Sequence, residues 1–406
     1  MTLGTNFSST LKSGNTKKRL LIFCQYVRGI GHLVRSTELA RELAYSFEVC
    51  LVNGGQPVPA LALPSSIRNL CIAPIFRDEE SGDLVPSKPF STLANCRMAR
   101  EADLRRFVVD FRPDVIVTEH FPFGLLFESE FESLIKAAKR ENPRTKIVSS
   151  VRDVVLMLGG GSEDTKTCQM LERWFDLVLV HGDESVIRFS DSFPKIHSVA
   201  VPLKYTGYVV RPFNKCATQI NKHGVGDQPP IIIASIGGGR VGGELLEVVI
   251  DASKLLATQW KHRLKLFAGP FLPPEVDERI RVAALLTSHI DVFEFAPNFH
   301  QDLGNATVAV GLAGYNTVLE CVAAGISTLS YLLPFRHGDR EQELRATRFR
   351  QAGLIETLEP SELLPSVVAE RIVQLTEERK RPQRTVRLEG AVASRQLLEE
   401  LVLNGR

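Results

Sequence analysis

The residues of this chain that could do chemistry cluster in glycine turns and in the polar ends of apolar runs. One such stretch runs from Val310 to Gln342. An apolar run, Ala306 to Val310, leads into the turn Gly311-Leu312-Ala313-Gly314, and a helical pattern follows from Tyr315 to Ala324. Gly325 suits a left-handed helix cap, and a second apolar run, Ile326 to Leu332, comes next. Strand, glycine turn, helix and strand bring a helix N-terminus to a crevice, where bare backbone N–H groups and the helix dipole attract phosphate. Gly314, Asn316 and Thr317 stand at that point. Glu320, three residues after Thr317, shares a helix face with it and is placed to accept hydrogen bonds from ribose hydroxyls. Asp339, Glu341 and Gln342 could hold further hydroxyls. Phosphate, ribose and sugar hydroxyls in that order describe a nucleotide-sugar.

Four more segments lie where strand-like runs end. Gly29-Ile30-Gly31-His32 follows the first strand, at the edge where open α/β sheets place ligands, and Gly29 and Gly31 allow close backbone approach. It is not a dinucleotide fingerprint, because Val34 stands where a third glycine would be needed. Ser235-Ile236-Gly237-Gly238-Gly239-Arg240 offers backbone donors, a hydroxyl and a cation in one place, from Ser235, Gly237, Gly238 and Arg240. No Gly-Lys-Ser/Thr follows, so it is not a Walker A loop. Phe293 to Asn298 ends another run, where aromatic residues such as Phe295 are usually core. Glu119-His120 and Arg152-Asp153 end two strands of the first half and point to its cleft edge. Histidine titrates near neutrality, so His32 is the candidate general base and Glu119 the carboxylate that orients it, with His120 and Asp153 as alternative bases.

Gly314-Tyr315-Asn316-Thr317-Val318-Leu319-Glu320, with His337-x-Asp339-x-Glu341-Gln342, resembles the C-terminal domain of UDP-sugar glycosyltransferases related to the lipid II-forming N-acetylglucosaminyltransferase. Gly29 to His32 and Ser235 to Arg240 resemble that family's two glycine loops, the second of which lies against the diphosphate in relatives. Phe293 to Asn298, with Phe295, is similar to the turn that packs the base there, and the segments around Glu119 and Arg152 resemble a branch of predicted glycosyltransferases. The resemblance spans roughly residues 19 to 385. It implies the GT-B fold, two doubly wound Rossmann-like α/β domains facing a cleft. It also implies a UDP-sugar donor such as UDP-N-acetylglucosamine on the second domain, an acceptor hydroxyl on the first, and inversion in one displacement. A His–carboxylate pair of this kind occurs in plant-type glycosyltransferases of the same fold. The variant Gly-x-Gly-His-x-x-Arg, Gly29 to Arg35, is similar to the UDP-sugar hydrolase of pseudaminic acid synthesis, so a hydrolase and a catalytically silent nucleotide-sugar-binding subunit stay open.

The elements that must position these residues follow from patterning. Near-continuous apolar strands alternate with helices: strands at Arg19–Cys24, Phe47–Val52, Ile67–Ala73, Asp114–Thr118, Lys146–Ser150, Asp176–Val180 and Ile196–Val201, then at Ile231–Ser235, Leu264–Ala268, Ile290–Phe295, Thr307–Val310 and Ile326–Leu332. Such strands form parallel sheets covered on both faces. The expected layout is a disordered leader (1–18), an acceptor-side domain (19–205), a linker (206–229), a nucleotide-sugar domain (230–385) and a C-terminal helix (386–406) crossing back to the first domain. With 406 residues and a net charge of +2, two domains fit and nucleic acid is not indicated as a partner. The seven cysteines make no C-x-x-C pair, no metal spacing or D-x-D motif is seen, and no run approaches a membrane span. The expectation is a cytoplasmic protein needing no metal or cofactor beyond its nucleotide-sugar, with peripheral membrane contact left open.

Overall fold

The computed structural model describes residues 17–27, 30–58, 61–78, 81–155, 161–211, 229–294, 299–334, 341–378 and 385–403. The apolar runs become two parallel sheets. The first contains β1 (Lys18–Cys24), β2 (Phe47–Asn53), β3 (Arg68–Cys71), β6 (Val115–Glu119), β7 (Lys146–Arg152), β8 (Leu177–His181) and β9 (Leu203–Tyr205). Its order is β3-β2-β1-β6-β7-β8-β9, every pairing parallel. The second contains β10 (Ile231–Ser235), β11 (Arg263–Phe267), β12 (Ile290–Phe293), β13 (Val308–Leu312), β14 (Ser327–Tyr331) and β15 (Glu356–Leu358), in the order β12-β11-β10-β13-β14-β15 and again parallel throughout. A short antiparallel hairpin, β4 (Ile75–Arg77) and β5 (Leu84–Pro86), stands apart, and the acidic Asp78–Asp83 turn closes it.

In each sheet the strand order reverses beside the first strand, between β1 and β6 and between β10 and β13. Open parallel sheets bind ligands in the crevice that such a reversal leaves at the carboxyl ends of the strands. Both reversals bring predicted residues together. His32 opens the helix α1 (Gly31–Leu43) after β1, and Glu119 ends β6; Ser235 ends β10, and Gly314 follows β13. Register sets Glu119 beside Ser150 and Ser235 beside Gly311.

Helices cover both sheets: α2 (Leu93–Phe111), α3 (Glu128–Glu141) and α4 (Ser162–Trp174) on the first, then α5 (Gly243–Ala257), α6 (Pro274–Leu285), α7 (Phe299–Gly304), α8 (Tyr315–Ala324), α9 (Glu341–Gln351) and α10 (Pro365–Glu378) on the second. Gly325 caps α8 at φ +69°, a left-handed conformation that costs glycine nothing. The last helix, α11 (Gly390–Leu403), lies against α1 of the first domain. Leu398 is buried there, and Arg395 bonds Glu42 at 2.9 Å.

Some expectations are corrected. Ile196–Val201 is not a strand: a 3₁₀ turn spans Pro194–Ser198, Ile196 and Val199 meet the core at a spacing of three, and the edge strand comes later at Leu203–Tyr205. Pro194 and Pro202 bracket that run, and proline removes the donor a ladder needs. Gly311 and Leu312, expected in the turn, extend β13. The segment expected to open the linker is interior at first: Tyr208 is fully buried and its N–H bonds the Arg387 carbonyl at 2.7 Å.

Candidate functional site

His32 occupies the first turn of α1, whose N-terminus has no side-chain cap. Its ring is tied into a buried carboxylate assembly: Nδ1 lies 2.8 Å from Glu119 Oε1. Arg35, one turn along the same helix face, bonds the same oxygen. Ser150 donates to Glu119 Oε2 at 3.1 Å, His181 Nε2 lies 2.9 Å from the Ser150 hydroxyl, and Thr206 Oγ1 lies 2.9 Å from His181 Nδ1. Because an ionised carboxylate only accepts, His32 carries its proton on Nδ1 and turns the lone pair of Nε2 toward the cleft. There it faces Arg152 Nη2 at 3.4 Å. Burial, then Arg152 and Arg35, hold the imidazole well below its usual pKa, so at pH 7 it is a neutral base. Burial brings Arg35 down to about 10, which leaves it charged.

The second domain closes on this assembly. Asn316, in the first turn of α8, donates to the Gly31 carbonyl at 3.1 Å. A side chain at Gly31 would place a Cβ 3.2 Å from the Asn316 amide, so glycine there permits the approach. The Tyr315 hydroxyl donates to the His181 carbonyl at 2.9 Å, and its ring lies under the Arg35 guanidinium at 5.1 Å. Arg152 bonds Glu341 at 2.6 Å, and Arg345 pairs with both Asp153 (2.7 Å) and Glu341 (2.8 Å). Burial pushes Glu341 up, but Arg152 and Arg345 outweigh it and hold the carboxyl below its usual range. Asp153 is thereby corrected as an alternative base: it is fully buried, and both its oxygens engage the Arg345 guanidinium.

The turn after β10 is built from backbone. Gly237 adopts φ +71° and Gly239 φ +90°, and a Cβ at Gly239 would come within 2.6 Å of the Ala268 carbonyl, so the turn needs glycine. A Cβ at Gly237 would lie 3.6 Å from Thr317 Oγ1, so the Ser235 loop faces the start of α8. Ser235 Oγ accepts from the Gly237 N–H at 3.3 Å, and Gly314 gives α8 no side-chain cap. Gly238 is half-buried, and Arg240 stacks on Phe271 at 4.6 Å. Glu320 is half-buried beyond them; burial raises its carboxyl to about 7, Arg211 lowering it and Glu38 raising it. Glu38 on α1 bonds Arg211 at 3.0 Å, so this carboxyl also faces the first domain. Gln342 begins α9 beside Glu341. Gly29, Phe295 and Asp339 lie outside the described residues. Among the described residues no group of three or more His, Cys, Asp or Glu is placed to hold a metal ion, and no helix is long and apolar enough to cross a membrane.

The structure thus brings together His32, Glu119, Gly31, Asn316 and Glu341, and in a second group Ser235, Gly237 and Thr317. Arg35, Ser150 and Tyr315 entered the sequence reading only as members of motifs, without a role of their own, and His181 and Arg345 did not enter it. Arg35 follows His32 at a helical spacing of three and shares its Glu119 oxygen, Arg345 follows its partner Glu341 at a spacing of four, and His181 is a polar end on an apolar strand, as Glu119 is.

Two doubly wound parallel domains, with their strand-order reversals facing one another, define the GT-B class of fold. Residues 233–401 match the glycosyltransferase family 28 C-terminal domain. The chain is 29% identical over 148 residues to the UDP-N-acetylglucosamine–N-acetylmuramyl-(pentapeptide) pyrophosphoryl-undecaprenol N-acetylglucosamine transferase of Haemophilus influenzae, covering 36% of this chain and 39% of that one. It spans about two fifths of the length of the curated relatives it matches. Over nearly the whole chain the fold is shared with Acinetobacter baumannii MurG (TM-score 0.55, 15% identity, covering 96% of this chain and 99% of that one). It is shared equally with a UDP-N-acetylglucosamine 2-epimerase (TM-score 0.60, 14% identity, 96% of each chain). The chain is related to the lipid II-forming group of GT-B glycosyltransferases.

Proposed function

We propose that this protein is an inverting glycosyltransferase that moves a sugar from a UDP-sugar, such as UDP-N-acetylglucosamine, to an acceptor hydroxyl. The observation that carries the proposal is the placement of the His32–Glu119 pair one hydrogen bond from the phosphate-facing helix, through Asn316 and the Gly31 carbonyl. Base and donor site thereby share one cleft, as a single displacement requires.

In this reading the diphosphate lies between the Ser235–Arg240 turn and the N-terminus of α8, where backbone N–H groups, the Ser235 and Thr317 hydroxyls and Arg240 meet its charge. The ribose hydroxyls bond Glu320, and the sugar lies toward Glu341 and Gln342. The acceptor O–H gives its proton to His32 Nε2 while its oxygen bonds the anomeric carbon. The bond to the diphosphate oxygen breaks in the same step, and the diphosphate leaves with the electron pair. Glu119, fixed by Arg35 and Ser150, stabilises the imidazolium so formed.

The test is UDP release from a panel of UDP-sugars by the purified protein. Acceptor-dependent release supports the transferase. Release into water alone would make the chain a UDP-sugar hydrolase, and binding without any turnover a silent subunit.

A further inference from the structure

His120, an alternative base on the sequence reading, is held with unusual care. It follows Glu119 at φ +66°, a left-handed conformation that is costly for a residue with a side chain. Its N–H bonds the Ser150 carbonyl at 2.8 Å and its carbonyl accepts from Phe123 N–H at 2.9 Å, so the backbone is clamped in that state. The ring leans over Gly124, where a Cβ would come within 2.8 Å of Cδ2. Strained backbone and a glycine together bring its imidazole to 5.4 Å, centroid to centroid, from that of His32.

The ring has nothing to hold on to once it arrives. Its Nδ1 is out of solvent and has no hydrogen-bond partner among the described residues, and the same is true of Arg152 Nε and Gln342 Oε1. Arg152 touches His32, and Gln342 adjoins Glu341, which bonds Arg152. Unsatisfied buried polar atoms are expensive, and the His120 and Arg152 nitrogens, on two side chains that both adjoin His32, ask for a polar partner there. The charges define that ligand further. Arg35, Arg152 and Arg345 face Glu119, Glu341 and Asp153, three cations against three anions, all paired. Among the described residues these charges balance and offer an ionic acceptor no counter-charge, and both His32 and His120 are kept neutral, the latter pushed down to about 3 chiefly by burial.

Resting on the glycosyltransferase reading, we propose that His120 binds the acceptor, and that the acceptor is a neutral polyol of the sugar type, its attacking hydroxyl on His32 Nε2 and a neighbouring hydroxyl on His120. An apolar alcohol would fill the cleft but leave the His120 nitrogen unsatisfied.

The test measures UDP release from UDP-N-acetylglucosamine with glycerol, myo-inositol and methyl N-acetyl-β-glucosaminide as polyol probes and 1-octanol as the apolar one. Polyols stimulate release and 1-octanol does not. His120→Gly, which relieves the strained φ and so leaves the fold intact, raises KM for the stimulating polyol about tenfold, the equivalent of one hydrogen bond, while donor Kd holds. His120→Asn, which tolerates the same backbone and keeps a polar tip, recovers part of the loss. An unchanged polyol KM in His120→Gly, stimulation by 1-octanol alone, or donor binding with no polyol-dependent release each overturns the proposal. Failure to bind any nucleotide-sugar would instead sink the glycosyltransferase reading, and this proposal with it.

Discussion

Arg345 joins the domains, and its removal should be costly. The side chain is fully buried, with its guanidinium 2.7 Å from Asp153 Oδ1, 2.8 Å from Glu341 Oε1 and 5.4 Å from the Tyr315 ring centroid. Arg345→Ala takes a guanidinium away from two buried carboxylates, Asp153 and Glu341, while Glu341 keeps its contact with Arg152. Breaking a buried pair from one side costs about 3–5 kcal/mol, and the lost ring contact adds about 0.5–1. With a urea m-value of about 3 kcal/mol/M for a domain of ordinary size, the midpoint falls by on the order of 1 M. Trp174 lies in the first domain and Trp260 in the second, so fluorescence of the Trp174→Phe and Trp260→Phe backgrounds follows each domain separately. The deficit should depend on pH. Glu341 is depressed in the native protein, so its stabilisation is present above its unfolded pKa of about 4.3 and lost as pH falls through its lower folded value. In Arg345→Ala much of that stabilisation is already gone. The gap between native protein and variant therefore stays level above about pH 4.3 and narrows as the pH falls below it. A loss below about 1 kcal/mol near pH 7, or a gap that does not narrow below about pH 4.3, would refute the account of this junction.

Two further outcomes concern titration. His32 acts as neutral imidazole and is held below its ordinary 6.5, so kcat should stay level down through pH 6.5 and fall only below it. Arg152→Ala removes the largest cause after burial and should move that acid limb upward; a limb that stays put would leave Arg152 out of the base's environment. Glu320, raised to about 7 mainly by burial, must ionise to serve as a full acceptor for ribose, so UDP binding by calorimetry should tighten as pH rises through 7. Glu320→Ala should lose about 1.5–3 kcal/mol of that affinity, and Glu320→Gln should flatten the pH dependence; native-like binding in both would remove Glu320 from the site.

The sheets were legible because strands buried on both faces read as continuous apolar runs, and the meeting of the candidate residues because they end those runs. His32 and Glu119 could be paired from sequence since each follows a strand on the same sheet edge, and that edge reverses its strand order between β1 and β6. The Ile196–Val201 segment misled because a 3₁₀ turn with two apolar residues three apart has the composition of an edge strand. The pairing of Asp153 with Arg345 was out of reach: 192 residues separate them, and no local pattern shows which helix of one domain will meet which strand of the other. Glu341 shows the same limit. Its place in the sequence suggests a hydroxyl ligand, whereas its partners in the structure are two arginines, one from each domain.

The central claim is that His32 removes the acceptor's proton in the cleft that holds the UDP-sugar. It is tested most directly by measuring UDP-sugar affinity and single-turnover transfer on His32→Ala. The account predicts donor affinity near that of the native protein and a rate lower by at least about 10²-fold, the lower end expected on losing a general base. Near-native transfer by His32→Ala would contradict it and leave the histidine a structural residue of the first turn of α1.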